Sequence, residues 1–242
     1  TMKTEEQKIS YLTRLFEETY LKDIVERYHI EKTQELEALV NILASAIGSL
    51  TNVPKIEATF KSVLRSKISG NTIRQYIEYL EDAFFIHKAN RYDVRGRKYI
   101  GTPVKYYFED VRLRNARLGF RQVEETHLME NILYNELRSR GYVVDVGIVE
   151  KRKKDTTGKA ERKQLEIDFV ANKGSRRYYI QSAFAIPDEK KREQEKMSLL
   201  QVRDSFKKII VVKDIVNVTR DENGITTMSV YDFLLQDNSL EL

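Results

Sequence analysis

The chain has 242 residues, with 42 Lys and Arg against 37 Asp and Glu, a net charge of +5, and no cysteine. The lack of cysteine excludes disulfides, cysteine-ligated zinc, iron–sulfur clusters and thiol nucleophiles. No apolar run approaches the roughly 18 residues that a membrane helix needs, and no signal peptide is recognisable, so we expect a cytoplasmic protein with no membrane partner. Because Thr1 precedes Met2, we expect a piece of a longer protein.

The first half of the chain alternates between helical and strand patterns. Apolar residues recur at helical spacing in four segments, over residues 5–30, 33–47 (with Thr33 as N-cap), 55–64 and 69–84. Residues 85–92 and 105–108 then alternate as a strand pair around a basic turn. Three helices followed by a β-hairpin is the order of a winged helix. Gly119 marks the expected end of this domain.

The second half predicts a small α/β domain. The pattern indicates a helix over 127–140, strands over 143–149, 165–172 and 176–185, a charged helix up to residue 204, and strands over 208–212 and 225–230, with 231–235 closing the chain. The order αβββαβ predicts a mixed sheet covered by helices.

A basic segment over residues 151–163 accounts for the whole net charge, because it holds seven Lys or Arg and two Asp or Glu. We expect a mobile hairpin tip or loop there. Clustered cations gain from counterion release on nucleic acid, which makes Lys151, Arg152, Lys153 and Lys154 candidates for backbone contacts. A solvated loop that keeps a strand edge soluble is an equally open interpretation.

Two acids are predicted side by side on the strand at 165–170. Alternate strand residues share a face, so Leu165, Ile167 and Phe169 would face a core and Glu166 and Asp168 would face away together. Carboxylates are natural oxygen ligands for Mg²⁺. An ordinary solvated strand face explains the same pattern. No P-loop is present, because Ala160 follows the chain's only Gly-Lys pair.

An acid on a helix, then a strand Asp, then Glu or Gln-x-Lys on the following strand is the pattern of the PD-(D/E)XK nuclease fold, and this chain resembles it through Glu130, Asp168 and Gln181. The resemblance implies Glu130 as the helix acid, Asp168 as the metal-bridging acid and Gln181 as a third ligand, around Mg or Mn held by Glu130, Glu166 and Asp168. Ala183 stands where that family has its lysine. Lys173 and Lys190 are the candidates to replace it in space, although no pattern indicates that either does.

A second resemblance extends over most of the chain. Its segments are Tyr20–Val25, Ser69–Ile73, Tyr79–Ala83, Arg91–Tyr99, Lys105–Phe108, His127–Asn131 and Glu166–Val170. Their order is similar to the C-terminal region, a domain of unknown function, of prokaryotic AAA+-type ATPases. The resemblance implies three parts. Residues 1–32 would be a helix that links to an absent ATPase domain, residues 33–120 a winged-helix domain, and residues 121–242 a restriction-endonuclease-like, PD-(D/E)XK mixed-sheet domain. ATP would bind only in the absent domain, which is the implied partner.

The winged helix has candidate DNA-contacting residues and opposing acids. Asn71, Thr72 and Arg74 begin the recognition helix, followed by Glu78, Glu81 and Asp82. The cations of the wing are Arg91, Arg95, Arg97 and Lys98. Wing and basic segment together predict weak, non-specific contact with DNA. A rigid protein-docking module is the alternative.

Three functions remain at this level. The leading hypothesis is a non-catalytic or weakly catalytic C-terminal module of an ATPase that binds nucleic acid or a protein partner. The second is an active Mg- or Mn-dependent DNA nuclease. The third is a structural module that forms a homo-oligomer.

Overall fold

The computed structural model describes residues 4–121, 124–154 and 160–242. The chain forms two compact units, the first of Thr1–Lys88 with Pro103–Asn131 and the second of Ala89–Thr102 with Ile132–Leu242. In the described part of the chain, no helix is both long enough and apolar enough to span a membrane.

The first unit is mainly helical. Its elements are α1 (Glu5–Arg14), a π-helical segment (Leu15–Leu21), α2 (Lys22–Arg27), α3 (Thr33–Ser45), α4 (Val53–Ser62), α5 (Gly70–Asp82) and α6 (Val111–Arg117). The single helix expected over 5–30 is therefore interrupted by a wider helical turn. That turn carries Phe16 and Leu21 into the core beside Ile24 of α2.

Side-chain caps explain where several of these helices begin. The Asn52 side chain accepts from the Lys55 amide at 2.8 Å, and the Ser69 hydroxyl accepts from the Thr72 amide at 3.1 Å. The expected N-cap of α3 is wrong, because Lys32 occupies that position and caps with no side-chain hydrogen bond. Thr33 is instead the first helical residue.

One apolar core joins the helices of the first unit. Leu36, Leu39 and Phe60 of α3 and α4 lie in the same cluster as Phe16 and Ile24. The segment expected as a linking helix at 1–32 therefore packs against the residues that were assigned to the winged helix.

The hairpin of β1 (Ile86–Asp93) and β2 (Lys98–Phe108) is divided between the units. Its outer part belongs to the second unit because β1 pairs in parallel with a later strand, with Arg91 opposite Val146 and Asp93 opposite Ile148. Helix α7 (Glu125–Ser139) is divided as well. Neither unit is therefore continuous in the sequence, and the domain ranges 33–120 and 121–242 stay predictions.

The second unit is built on the mixed sheet. Its elements are β3 (Val143–Lys154), β4 (Ala160–Lys173), β5 (Arg176–Ala183), α8 (Glu189–Leu199), β6 (Lys207–Val212), β7 (Thr219–Arg220), β8 (Ile225–Ser229), α9 (Val230–Leu235) and a 3₁₀ turn (Ser239–Glu241). The described residues form an eight-stranded sheet in the order β2-β1-β3-β4-β5-β6-β8-β7. The prediction of a mixed sheet with helices is confirmed, since β3–β5 are antiparallel whereas β6 and β8 continue in parallel. Residues 231–235 are helical.

The basic segment is more regular than expected. Strands β3 and β4 extend into it as an antiparallel ladder, with Lys151 opposite Lys163 and Lys154 opposite Ala160. Of the two expected forms, a hairpin tip or a loop, the loop is wrong for both ends of the segment, because they are the arms of a hairpin whose backbone ladder continues past Glu150. Its centre, residues 155–159, lies outside the described residues.

Candidate functional site

Two strands of the second unit separate at Asp168. The β4–β5 ladder runs from Lys173 opposite Arg176 to Phe169 opposite Ile180. Beyond it, an Asp168 carboxylate oxygen accepts a hydrogen bond from the Ser182 amide at 2.8 Å. The Asp168 carboxylate thus accepts the amide hydrogen that a backbone carbonyl of β4 would accept in a regular ladder. Before Asp168, β4 pairs with β3 and not with β5.

A β-bulge at Asp168 and Phe169 changes which face of β4 the following side chains lie on. Asp145 pairs with Val170 and Gly147 with Ile167, so Asp168 and Phe169 together lie opposite the single residue between Asp145 and Gly147. Gly147 is required there, because an added Cβ would lie 2.7 Å from a Val170 methyl carbon.

The bulge corrects the expected alternation of β4. Leu165, Ile167 and Val170 contact one apolar cluster, whereas Phe169 packs with its ring centroid 6.3 Å from that of Tyr134. Asp168 is only 8% exposed, so an ordinary solvated strand face does not describe it. The expectation that Phe169 shares a face with Leu165 and Ile167 is therefore wrong, because the bulge adds one residue between Ile167 and Val170. The shared face of Glu166 and Asp168 stays a prediction.

A cleft of about 670 Å³ lies where β4 and β5 separate under α8. Glu166 of β4, Gln181 of β5 and Lys190 of α8 line it together. The Gln181 carboxamide oxygen accepts a hydrogen bond from the Ser198 hydroxyl at 3.3 Å. The structure therefore brings two of the predicted ligands, Glu166 and Gln181, to one cleft, and it places Asp168 where β4 and β5 separate.

The two candidate replacement lysines have different positions. Lys173 donates to the Arg140 carbonyl at 2.6 Å and lies over the Tyr142 ring, whereas Lys190 lines the cleft. Ala183 is 2% exposed and belongs to the apolar cluster that contains Leu199. A lysine at position 183 would thus be buried among apolar side chains.

Glu130 belongs to the first unit and is bound there. Its carboxylate accepts from the Lys105 ammonium at 2.9 Å and from the Tyr107 hydroxyl at 2.5 Å, and Glu130 is 7% exposed. Among the described residues, no group of three or more His, Cys, Asp or Glu side chains is arranged to hold a metal ion. The metal site of Glu130, Glu166 and Asp168 stays a prediction.

The start of α5 carries the predicted base-contacting residues in the first unit. Arg74 is exposed and donates to the Asn71 side chain at 2.7 Å. The Thr72 hydroxyl lies 2.9 Å from the Ser69 hydroxyl. Later in α5, burial raises the pKa of Glu81. Asn71 and Arg74 are thus on the surface, with each other as partners.

The wing cations belong to the second unit and divide into two kinds. Arg95, Arg97 and Lys98 are exposed. Arg91 is 8% exposed and donates to the Gln164 side chain at 3.2 Å, so it is held within the sheet, and its contact with DNA stays a prediction. Asp93 accepts hydrogen bonds from the amides of the turn, at 3.1 Å and 2.9 Å, and therefore shapes the turn.

Parallel pairing brings the two basic segments to the same end of the sheet. The Val94 amide donates to the Ile148 carbonyl at 3.1 Å, just before the wing turn. Lys151 lies three residues further along β3, about 10 Å at strand spacing. We call this region the basic end and define it by its cations with described side chains, Arg95, Arg97, Lys98, Lys151 and Lys163. The side chains of Arg152, Lys153 and Lys154 lie outside the described residues.

Sequence reasoning identified both basic segments and missed that they meet. Parallel pairing between β1 and β3 joins residues about 55 positions apart, and no local pattern reports such a pairing. The alternating pattern of β1 predicts a strand, but it does not indicate which other strand pairs with it.

Comparison with known proteins places the chain among uncharacterised relatives. Residues 1–124 match the family described as a domain of unknown function (DUF8612). An uncharacterized protein of Haemophilus influenzae is 35% identical, with 97% of this chain aligned to 54% of that protein. Another, from Methanocaldococcus jannaschii, is 26% identical, with 88% of this chain aligned to 44% of it. The chain spans about half the length of these curated relatives.

Among solved structures, the chain is similar to the crystal structure of protein VC1899 from Vibrio cholerae. It aligns with 100% of this chain and 55% of its own at 10% identity, with a TM-score of 0.27, which is too low to carry an argument. The expectation of a domain of unknown function is confirmed, whereas its place behind an ATPase domain stays a prediction. The chain belongs to the DUF8612 family.

Proposed function

We propose that this chain is the nucleic-acid-binding part of a larger prokaryotic ATPase and that its basic end binds the phosphate backbone without reading base sequence. The observation that carries the proposal is the convergence of two basic segments, distant in sequence, at one end of one sheet. Phosphate contacts from Lys and Arg position a protein on DNA but do not themselves specify a sequence.

The like-charged pair across the strands supports an anionic ligand. Lys151 lies directly opposite Lys163. Like charges that face each other across antiparallel strands are destabilising, by an amount within about 0.2–1 kcal/mol. A bound phosphate backbone would attract both ammonium groups, which offsets their repulsion, and its binding would release counterions.

The order of elements supports the two proposed domain types. Helices α3, α4 and α5 followed by strands β1 and β2 are in the order of the elements of a winged helix. The order of helix α7 with Glu130, strand β4 with Asp168 and strand β5 with Gln181 matches the one that the PD-(D/E)XK resemblance implies. Since both curated relatives are about twice as long as the aligned part, they have room for a further domain, which we propose is the ATPase.

The cleft supports binding rather than cleavage. The position of the family lysine is Ala183 in a closed core, and the third ligand is an amide, Gln181, that accepts from Ser198. We therefore propose a degenerate nuclease-like fold retained for recognition.

The test is fluorescence anisotropy with a short labelled DNA duplex at low salt. The variant replaces Arg95, Arg97, Lys151 and Lys163 with Gln, and the matched control replaces four exposed cations of the N-terminal helices, Lys8, Arg14, Lys22 and Arg27. We expect the basic-end variant to bind at least about 100-fold more weakly, and the control to stay within about 3-fold of wild type. Equal loss in both, or no binding by wild type, contradicts the proposal.

A metal-dependent nuclease is the second candidate, and the position of Lys190 favours it. Lys190 lines the same cleft as Glu166 and Gln181 and is exposed. Glu166 and Asp168 would hold a divalent metal there, which would supply an activated water, and Lys190 would stabilise the negative charge on the phosphate that is cleaved. The residues present offer oxygen ligands of the kind that Mg²⁺ and Mn²⁺ take.

Plasmid cleavage with Mg²⁺ or Mn²⁺ distinguishes this second candidate. A nuclease would lose cutting in both Asp168→Asn and Lys190→Met and keep it in Lys191→Met, whose lysine pairs with Glu195 at 2.5 Å. If folded wild-type protein does not cut, the nuclease is excluded.

A further inference from the structure

A second pocket of about 670 Å³ lies in the second unit at the outer edge of the sheet, around β6, β7 and β8. It is separate from the cleft beside α8, since the two have no lining residue in common. Its charged lining residues are Lys207, Lys208 and Arg220 against Asp204 and Glu241.

Strand register places three donors on one face of this edge. Thr226 of β8 lies opposite Arg220 of β7 and beside Ile209 of β6. Lys207 precedes Ile209 by two residues and so shares its face. A hydroxyl, a guanidinium and an ammonium therefore line one side of the pocket.

The Thr226 hydroxyl is the strongest indication of a ligand. Thr226 is 1% exposed, and among the described residues its hydroxyl has no hydrogen-bond partner. A buried polar group without a partner costs about 1–3 kcal/mol, so such groups call for an explanation. Since Thr226 lines the pocket, a ligand acceptor there would satisfy it.

The acids of the pocket are bound to tyrosines. Glu241 accepts from the Tyr178 hydroxyl at 2.5 Å, and Asp204 accepts from the Tyr179 hydroxyl at 2.7 Å. Both carboxylates keep their charge, and the charged side chains that line the pocket are three cations against these two acids.

The cations are held close together at the pocket. Lys207 donates to the backbone oxygen of Leu242, and burial together with the nearby Arg220 lowers the pKa of Lys207. The guanidinium of Arg220 lies beside Gly224, where an added Cβ would come within 3.4 Å of a guanidinium nitrogen. An anion between these cations would relieve their repulsion.

We propose that this pocket binds the phosphate group of a small molecule. A phosphate offers oxygen acceptors on all sides, which suits donors that converge from Thr226, Arg220 and Lys207. Guanidinium and ammonium groups form charge-assisted hydrogen bonds with phosphate, the strong class of such bonds. This site goes beyond the proposed binding of nucleic acid at the basic end and does not depend on it.

The test is isothermal titration calorimetry of the full chain with inorganic phosphate and, separately, with adenosine 5′-monophosphate, at constant ionic strength. We expect saturable binding of at least one probe with a dissociation constant of about 1 mM or tighter. Arg220→Gln should weaken it more than about 10-fold and Thr226→Val about 5- to 10-fold. The control Arg203→Gln, an exposed cation outside the pocket, should stay within about 2-fold.

The two probes separate the sources of the phosphate group. Equal affinity for both assigns the site to free phosphate, and tighter binding of the nucleotide assigns it to a phosphate monoester. Thr226→Val should fold at least as stably as wild type without ligand, because it removes a hydroxyl that lacks a partner. No saturable heat with either probe, or equal affinity in wild type and Arg220→Gln, overturns the proposal.

Discussion

The cleft beside α8 and the basic end of the same sheet differ in how their polar side chains are bound within the fold. In the cleft, the side chains expected to do chemistry have structural partners: Asp168 binds the Ser182 amide and Gln181 accepts from Ser198. At the basic end, Lys151 lies opposite Lys163, a like-charged pair across two antiparallel strands that lowers the stability of the fold. Residues that satisfy the fold can be kept for the fold alone, whereas residues that strain it indicate a function outside it.

The largest expected effect concerns Glu130, the acid implied to complete the cleft. We expect Glu130→Gln to lower the free energy of unfolding by about 3–5 kcal/mol, because it breaks a buried ion pair and leaves the Lys105 ammonium without its carboxylate. Urea unfolding measures this. The control Glu125→Gln, at an exposed position of the same helix, should change stability by less than about 0.5 kcal/mol. A Glu130→Gln protein as stable as wild type would return Glu130 to the list of free ligands.

Restoring the family lysine should damage the fold. Ala183→Lys inserts a long charged side chain beside Leu199, so we expect a loss of about 3 kcal/mol or more. The control is Ala185→Lys, two residues further at an exposed position. Chemical denaturation of the two variants gives the comparison. If Ala183→Lys folds normally and cuts DNA with Mn²⁺, the cleft is a nuclease site that lacks one residue.

Asp145 tests whether the second unit tolerates a buried charge next to the bulge. Burial raises the pKa of Asp145 above its ordinary value, although the Tyr99 hydroxyl donates to it at 3.2 Å. The folded state thus binds the proton more tightly than the unfolded state, and the resulting destabilisation is fully present only above the folded pKa.

We expect Asp145→Asn to be more stable than wild type near pH 7, by about 1 kcal/mol, the usual size of a single-substitution effect. The advantage should shrink as the pH falls through the folded pKa towards the ordinary Asp value of about 3.9. Urea unfolding across this range measures it. An advantage that grows with acidity would contradict the assigned sign.

The smallest effect concerns the basic end itself. Lys151→Gln removes the repulsion with Lys163, so we expect the free energy of unfolding to rise by about 0.2–1 kcal/mol at low salt. The gain should vanish at about 1 M salt, where the Debye length falls to about 3 Å. The control Lys190→Gln, on α8, should show no such gain. A destabilised Lys151→Gln protein would mean that this lysine serves the fold.

The sequence was informative wherever the signal is local. Asn52 and Ser69 cap the starts of α4 and α5 through side chains next to the helices themselves. Apolar periodicity located α3, α4, α5 and α7, but it did not predict α6 or α9. The excess charge at 151–163 was visible from composition. Each of these features depends on residues within a few positions of one another, so a single sequence contains them.

The site depended on features that are not local. The bulge at Asp168 arises from the register of β4 against β3, and the divergence of β4 from β5 arises where that register ends. The joining of the wing to the basic segment requires β1 to pair with β3. Competing registers differ by one residue and have nearly the same pattern, so the sequence alone did not distinguish them.

The salt dependence of DNA binding tests the central claim most directly. For wild type and for Lys151→Gln/Lys163→Gln, the association constant is measured from about 50 to 200 mM salt, where the slope of log K against log salt is about −0.9 for each phosphate contacted. We predict that the variant's slope is shallower by about two contacts. Identical slopes would contradict the account, because the cations of the basic end would then bind no phosphates.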